Sequence, residues 1–150
     1  MVARDVRKFK DHPTVLMWGL GNEMELDDNN NPTLWKEINE LAKITKQIDP
    51  SHPAATVIAD ISPEKIAMIM KYAPEIDLLG INSYGGLKDL PQRLKAAGWT
   101  KPYVVTEFGP NGPWEMKKTA WNAALEPTST KKAEKYASDY KSSIAGQPGI

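Results

Sequence analysis

The order of apolar and polar positions divides the chain into short apolar runs and longer stretches with helical spacing. Continuous apolar runs of four to eight residues are typical of strands that are covered on both faces. Gly and Pro punctuation separates them from their neighbours. Four such runs predict strands at residues 15–20 (VLMWGL), 54–59 (AATVIA), 77–82 (DLLGIN) and 102–106 (PYVVT).

Apolar residues at helical spacing predict a helix before, between and after these strands. The predicted helices lie near residues 2–9, 34–48, 63–73, 87–97 and 129–145. Ser62 followed by Pro63 is an N-terminal capping signal, and Gly98 is typical of the residue just past a helix end. We expect the last helix to start at Thr128 or Ser129, to end at Gly146 and to bury one stripe: Ala133, Tyr136, Ala137, Tyr140 and Ile144.

Alternating strands and helices predict an α/β fold with a parallel sheet, either doubly wound or part of an eight-stranded (β/α)8 barrel. In both folds the carboxyl ends of the strands share one edge, where ligands bind. A doubly wound nucleotide binder is the weaker alternative, because neither GLGNEM nor SYGGLK has the spacing of a glycine-rich phosphate loop.

Chemically active side chains follow three of the four predicted strands. Asn22 and Glu23 follow the first, Asn82 and Tyr84 the third, and Glu107 the fourth. Two carboxylates on one rim are what hydrolysis of a glycosidic bond needs, one to protonate the leaving oxygen and one to attack the anomeric carbon or activate water. Glu23 and Glu107 are therefore the candidate catalytic pair.

This chemistry discriminates between the two folds. In an open sheet, three strand spacings would hold the two strands about 14 Å apart. A double displacement wants its carboxyl groups about 5 Å apart. Curling the sheet into a barrel turns both strand ends toward one axis, so the proposed chemistry predicts the barrel.

Composition narrows the range of possible binding partners and adds little else to the prediction. Lys plus Arg and Asp plus Glu number 19 each, which gives no net field to attract nucleic acid or an anionic membrane. There are no cysteines, so thiolate metal sites are excluded, and no apolar stretch approaches the roughly 20 residues of a membrane span. We expect a carbohydrate partner and neither nucleic acid nor membrane; the compartment stays open.

At these residues the sequence resembles the clan A glycoside hydrolases. HPTVLMWGLGNE looks like their fourth barrel strand, IDLLGINSYGG like the sixth and KPYVVTEFG like the seventh. The texture is closest to the barrel domain of glycoside hydrolase family 2. The resemblance implies Glu23 as acid/base, Glu107 as nucleophile, Asn22 as a contact to a sugar hydroxyl and Tyr84 as the residue that orients Glu107. Asn82 and Trp114 are further candidates for substrate binding, and no cofactor is expected.

The resemblance runs from about residue 6 to residue 149, in the order of strands four to seven. A barrel of this kind needs about 250 residues. We therefore expect residues 1–150 to form a single partial TIM-barrel catalytic domain, truncated before the eighth strand, of a retaining enzyme for β-linked sugars. The alternative is a catalytically incomplete sugar-binding or assembly fragment, and another chain that completes the barrel is a candidate partner.

Four more features have plainer interpretations. Glu25 is expected to be a solvated loop acid. Trp114 and Trp121 lie in a long connection where they could stack on sugar rings or pin the loop, and both readings stay open. DDNNN resembles a calcium loop, but Pro32 and Ile38 stand where such a loop needs Gly and a bidentate acid, so no metal site is expected.

Overall fold

The computed structural model describes residues 1–26, 28 and 30–145, and contains four strands and five helices in that part of the chain. The strands are β1 (Trp18–Asn22), β2 (Ala54–Ala59), β3 (Leu78–Ser83) and β4 (Tyr103–Phe108). The helices are α1 (Val2–Phe9), α2 (Pro32–Ile48), α3 (Pro63–Tyr72), α4 (Leu90–Ala96) and α5 (Ser129–Ser143), with 3₁₀ turns at Leu87–Asp89 and Pro113–Glu115.

The four strands form one parallel sheet in the order β1-β2-β3-β4. Sequential order is what a segment of a barrel requires, whereas a doubly wound sheet reverses its strand order at the ligand site. The predicted α/β class and partial TIM-barrel architecture are confirmed. All four strands end at the same edge, and this edge carries the candidate site.

Local sequence signals account for several helix starts and ends. Asn31 and Ser62 cap α2 and α3 by accepting the backbone N–H groups of Leu34 (3.1 Å) and Lys65 (3.2 Å), and each cap is followed by Pro. Gly98 follows α4 with a φ of 83°, which suits a residue without Cβ. Thr128 caps α5 as predicted, while the predicted end at Gly146 lies outside the described residues.

The core lies between the inner strands and the helices that cover them. Ile58 of β2 and Leu79 and Ile81 of β3 are fully buried. Helices α2 and α3 contribute buried apolar side chains on their facing sides: Trp35, Ile38, Ala42, Ile66 and Ile69. None of the described helices is both long and apolar enough to cross a membrane.

The first strand differs from its prediction in position and in burial. It runs from Trp18 to Asn22 and not over 15–20, and Leu20 is its one buried residue. Leu16, inside the predicted run, is 76% exposed. The expectation of a strand covered on both faces is wrong, because four of the five residues of β1 are half-buried or exposed, and β1 pairs with β2 alone among the described strands.

The closing helix also buries other residues than predicted. Asp139 and Ser143 are buried, whereas Tyr136 and Tyr140 are about half exposed (46% and 54%). The helix contacts the 3₁₀ turn at Leu87–Asp89, and the Tyr136 ring meets Phe108 edge-on at 5.8 Å. An apolar stripe tells which side of a helix is apolar, but the neighbouring elements decide which side is covered.

Candidate active site

A cavity of about 420 Å³ opens at the carboxyl ends of the strands. It brings together five of the six candidate site residues. Asn22, the sixth, is exposed and is not part of the lining, although its side chain contacts Asn82. The lining consists of Glu23, Leu26, Ala59, Asp60, Asn82, Tyr84, Gly85, Glu107, Trp114 and Glu115.

Glu23 owes its direction to an irregular end of β1. The register between β1 and β2 shifts between Gly19 and Asn22, and Gly21 has a φ of 96°. Glu23 itself has a φ of 50°, a left-handed conformation that is unusual for a residue with a side chain. Its backbone N–H still donates to the carbonyl oxygen of Val57 at 2.9 Å. The backbone therefore turns at Glu23 while it stays attached to β2.

Asn82 connects the two outer strands through the buried end of β3. It is 2% exposed, and its Nδ2 donates to Glu23 Oε1 at 2.8 Å and to Asn22 Oδ1 at 3.3 Å. Its Oδ1 accepts the hydroxyl of Thr106 from β4 at 2.6 Å. Because the amide is satisfied on both sides, it fixes the Glu23 carboxyl relative to the neighbouring strands.

Glycine at position 80 allows the side chains of Val57 and Thr106 to approach the backbone of β3. A Cβ there would lie 2.7 Å from Cγ2 of Val57 and 3.0 Å from Cγ2 of Thr106, closer than packed carbon atoms come. Val57 and Thr106 belong to the strands on either side of β3. Because Gly80 has no side chain, the side chains of Val57 and Thr106 extend over β3 two residues before Asn82.

Glu107 is held by Tyr84, which follows β3. The Tyr84 hydroxyl donates to Glu107 Oε2 at 2.5 Å. This hydrogen bond, followed by burial and by the negative charges of Glu107 and Glu23, raises the pKa of Tyr84 to about 12. Tyr84 therefore remains a hydrogen-bond donor throughout the neutral range. The Trp114 ring meets the Tyr84 ring edge-on at 5.8 Å and forms part of the cavity wall.

The two loop tryptophans are both largely exposed, at 67% for Trp114 and 79% for Trp121. The loop is therefore not held in place by burial of these two rings. Trp114 lines the cavity, and Trp121 does not. Trp121 lies on a short antiparallel turn closed by a bridge between Lys118 and Ala124.

Half of the cavity lining was not assigned a role from the sequence. Asp60 directly follows β2, has a φ of 42° and accepts Arg93 Nη2 at 2.9 Å. Its position at a strand end on the shared edge was the signal that could have found it. The others are Leu26, Ala59, Gly85 and Glu115.

The prediction for Glu25 is wrong. Its side chain has no exposed surface, and Oε1 accepts Lys65 Nζ at 2.9 Å and the Ala59 N–H at 2.8 Å. A glutamate in a polar loop is expected to be solvated unless its partner is known, and Lys65 lies 40 positions further along the chain.

Among the described residues, no three His, Cys, Asp or Glu side chains cluster so that they could hold a metal ion.

Known proteins resemble the chain in sequence and in fold. The family model described as "Glycosyl hydrolases family 2, TIM barrel domain" matches residues 1–137. Mannan endo-1,4-beta-mannosidase 7 of Oryza sativa subsp. japonica is 32% identical in an alignment of 106 residues that covers 58% of this chain and 28% of that protein.

Two solved structures share the fold at lower sequence identity. The β-glucuronidase of Bacteroides uniformis superposes with a TM-score of 0.71 at 18% identity, covering 99% of this chain and 20% of that one. The GH2 β-galacturonidase of Eisenbergiella tayi, bound to galacturonate, gives 0.67 at 16% identity, covering 98% and 27%.

The chain spans less than a third of the length of each of these proteins. The family match, in contrast, extends over nearly all of the chain, since it includes residues 1–137 of 150. The chain therefore belongs to glycosyl hydrolase family 2 and forms part of its TIM barrel domain.

Proposed function

We propose that Glu23 and Glu107 are the catalytic pair of a retaining hydrolase for β-linked sugars. One observation carries the proposal: both carboxyl groups line the same cavity of about 420 Å³, and each accepts a hydrogen bond from a side chain of the strand β3 end. A cavity of this size falls within the range of small-molecule sites. Membership of a glycoside hydrolase family supports the reaction class.

In the first step Glu107 is the nucleophile and Glu23 the general acid. A carboxylate oxygen of Glu107 bonds to the anomeric carbon as the glycosidic C–O bond breaks. The electron pair of that bond passes to the leaving oxygen, which takes the proton of Glu23. The Tyr84 hydroxyl, held 2.5 Å from Glu107 Oε2, orients the attacking carboxylate.

In the second step Glu23 is the general base. It removes a proton from a water molecule, whose oxygen attacks the anomeric carbon from the face that the leaving group vacated. The ester bond to Glu107 breaks, and the free carboxylate returns. Two displacements at one carbon retain its configuration, so the product has the anomeric configuration of the substrate.

Other residues of the same edge would hold the sugar. Asn22, next to Glu23, would hydrogen-bond a sugar hydroxyl beside the reacting carbon, and Asn82 is part of the cavity lining. The exposed Trp114 ring offers an apolar face to a pyranose. Residues 1–150 would then act as one catalytic unit of partial-barrel architecture.

The test combines turnover with chemical rescue. The purified protein should release phenol from one or more aryl β-glycosides, and NMR of the first sugar formed should show retained configuration. Glu107→Gly should lower kcat on the order of 10⁴-fold, because the nucleophile is lost. Azide should then yield a glycosyl azide of inverted configuration, since it attacks in the space that the carboxylate leaves.

Glu126→Gly is the matched control, since Glu126 lies in the same connection after β4, pairs with Lys132 at 2.5 Å and does not line the cavity. It should hydrolyse at the unaltered rate. Ordinary turnover in Glu107→Gly, or an inverted first product from the unaltered protein, would contradict the proposal.

A second candidate is a sugar-binding segment without turnover, and the exposed Trp114 ring on the cavity wall favours it, because an aromatic face can stack on a sugar ring without any reaction. Calorimetric titration with the same sugars separates the two functions. Heat of binding without release of phenol would support the second candidate.

A further inference from the structure

The loop that follows Glu23 is anchored by a buried ion pair, although the sequence there is polar. The Glu25 side chain is fully buried, and that of Lys65 is 6% exposed. Glu25 Oε1 accepts both Lys65 Nζ (2.9 Å) and the backbone N–H of Ala59, the last residue of β2 (2.8 Å). Glu25 Oε2 is also buried and has no hydrogen-bond partner among the described residues, so the two contacts of Oε1 compensate for the lost hydration and fix the loop on the end of β2.

Lys65 is itself fixed from three directions. Its Nζ also donates to the carbonyl oxygens of Ala59 at 2.6 Å and Asp60 at 3.2 Å. Its backbone N–H donates to the hydroxyl of Ser62, the cap of α3. The ammonium group therefore ties the start of α3, the end of β2 and the loop after β1 to one point.

Glu23 lies two residues before Glu25 and has a conformation that needs support. A φ of 50° is costly for a residue with Cβ and persists only where surrounding contacts determine it. The Glu23 N–H is bound to Val57 on one side, and Glu25 is bound to Ala59 and Lys65 on the other. The backbone of Glu23 is thus held at both ends.

We infer that Glu25 and Lys65 are positioning residues that hold Glu23 in reach of the leaving oxygen. The inference rests on the proposed function, because it assigns the pair to the acid/base and not to the nucleophile. Glu107 lies on β4 and has Tyr84 as its own support, so the nucleophile does not depend on this pair.

The chain offers a matched control at the opposite end of the same strand. Asp77 accepts the N–H of Ala54, the first residue of β2, at 2.9 Å and Lys46 Nζ at 2.9 Å. The contacts are of the same kind, a carboxylate between a strand amide and a helical lysine. Asp77 lies at the amino ends of the strands, away from the cavity.

The experiment compares Glu25→Gln and the double variant Glu25→Leu/Lys65→Met with Asp77→Asn. Glu25→Gln leaves the Lys65 ammonium buried without a carboxylate, whereas the double variant replaces both charges by apolar groups and separates loss of the contact from burial of an unpaired charge. Aryl β-glycosides with leaving groups of increasing acidity are the substrates. A poor leaving group needs the proton of Glu23, whereas a dinitrophenolate leaves without it.

Both Glu25 variants should lose about 10²-fold in kcat/KM with poor leaving groups, because misplacement by about 1 Å costs that much. With the dinitrophenyl substrate kcat/KM, which reports the glycosylation step, should change little, while kcat falls because Glu23 also activates the water of the second step. Asp77→Asn should leave the dependence on the leaving group unaltered. An equal loss of kcat/KM with every leaving group, or none, would overturn the inference.

Amide hydrogen exchange provides a measurement that does not need turnover. The Glu23 N–H should exchange about tenfold faster or more in Glu25→Gln than in Asp77→Asn. The N–H groups of β3 should stay protected in both variants. Equal exchange at Glu23 in the two variants would overturn the inference. Absence of hydrolysis in the unaltered protein would overturn the proposed function alone, and the exchange rates would still decide the role of the pair.

Discussion

The outer strands of the sheet carry the two candidate catalytic carboxyl groups, and the inner strands and the elements after them carry the groups that hold these carboxyl groups. Glu23 follows β1 and Glu107 belongs to β4, the two outer strands, whose residues are mostly half-buried or exposed. The groups that hold them belong to the inner strands or to the elements that directly follow: Asn82, Tyr84 and Lys65. Reactive carboxyl groups need access to substrate, and their direction comes from hydrogen bonds to these neighbouring groups.

The largest effect within this comparison is expected from Asn82→Ala. The variant removes the donor to Glu23 and the acceptor for Thr106, so the Glu23 carboxyl loses its reference to β3 and β4. We expect kcat to fall about 10²- to 10³-fold in aryl glycoside hydrolysis, by analogy with loss of a preorganised hydrogen-bond donor.

Asn39→Ala is the control for that variant. Asn39 is a buried amide on α2 that accepts the Glu75 N–H at 3.0 Å, away from the cavity. Both variants should lose about 1 to 3 kcal/mol of unfolding free energy, because each leaves a buried backbone or side-chain group without its partner. If Asn39→Ala slowed hydrolysis as much as Asn82→Ala, the special role of the inner strand would be refuted.

A smaller effect is expected at Tyr84, and it has a signature in pH. Tyr84→Phe should slow kcat about tenfold or somewhat more, since it removes a hydrogen bond to a charged group. In the unaltered protein the Tyr84 hydroxyl should ionise near pH 12 in place of the ordinary 10.0, because Glu107 accepts its proton in a hydrogen bond. NMR of isotope-labelled tyrosine measures this directly.

The sign of the stability change follows from that pKa. A tyrosine pKa that is higher in the folded state stabilises the fold below pH 10, and this contribution is lost as pH rises from 10 to about 12. Glu107→Gln should return the Tyr84 titration toward 10.0. Tyr103, whose pKa is raised by burial, should not move in that variant. If the pKa of Tyr84 were the same in Glu107→Gln as in the unaltered protein, the contact between Tyr84 and Glu107 would not form in solution.

The smallest effect concerns the inner strands as packing. Ile81 of β3 is fully buried, so Ile81→Val should cost about 1 kcal/mol of unfolding free energy in a denaturant titration. Ile44→Val removes the same methylene from α2, where the side chain is 38% exposed, and should cost much less. Equal losses would mean that the inner strands are no better packed than the surface of α2.

The sequence predicted the inner strands better than the outer ones, for a physical reason. β2 was predicted with its observed bounds, because burial on both faces selects an unbroken apolar run. β1 and β4 extend through Gly21, Asn22 and Glu107, which an apolar pattern excludes. The polar ends of the outer strands are where the candidate chemistry lies, so function itself obscures the boundaries.

The same limit applies to the site. Glu23 and Glu107 could be singled out because each directly follows a predicted apolar strand, and all parallel strands end at one edge. Glu25 was misread because its surroundings depend on Lys65, and pairing across 40 residues is not a property of local pattern. The left-handed backbone at Glu23 was equally hidden, because an Asn-Glu pair does not specify a φ value.

That backbone angle sets two demands on the protein against each other. Glycine at position 23 would relieve a conformational cost of about 1 to 3 kcal/mol, so heat resistance alone would favour losing the carboxyl group. Sugar cleavage would favour keeping it. Substitutions that aim at a higher melting temperature therefore belong at positions away from the cavity, such as the partly exposed Ile44 of α2, and not at Glu23.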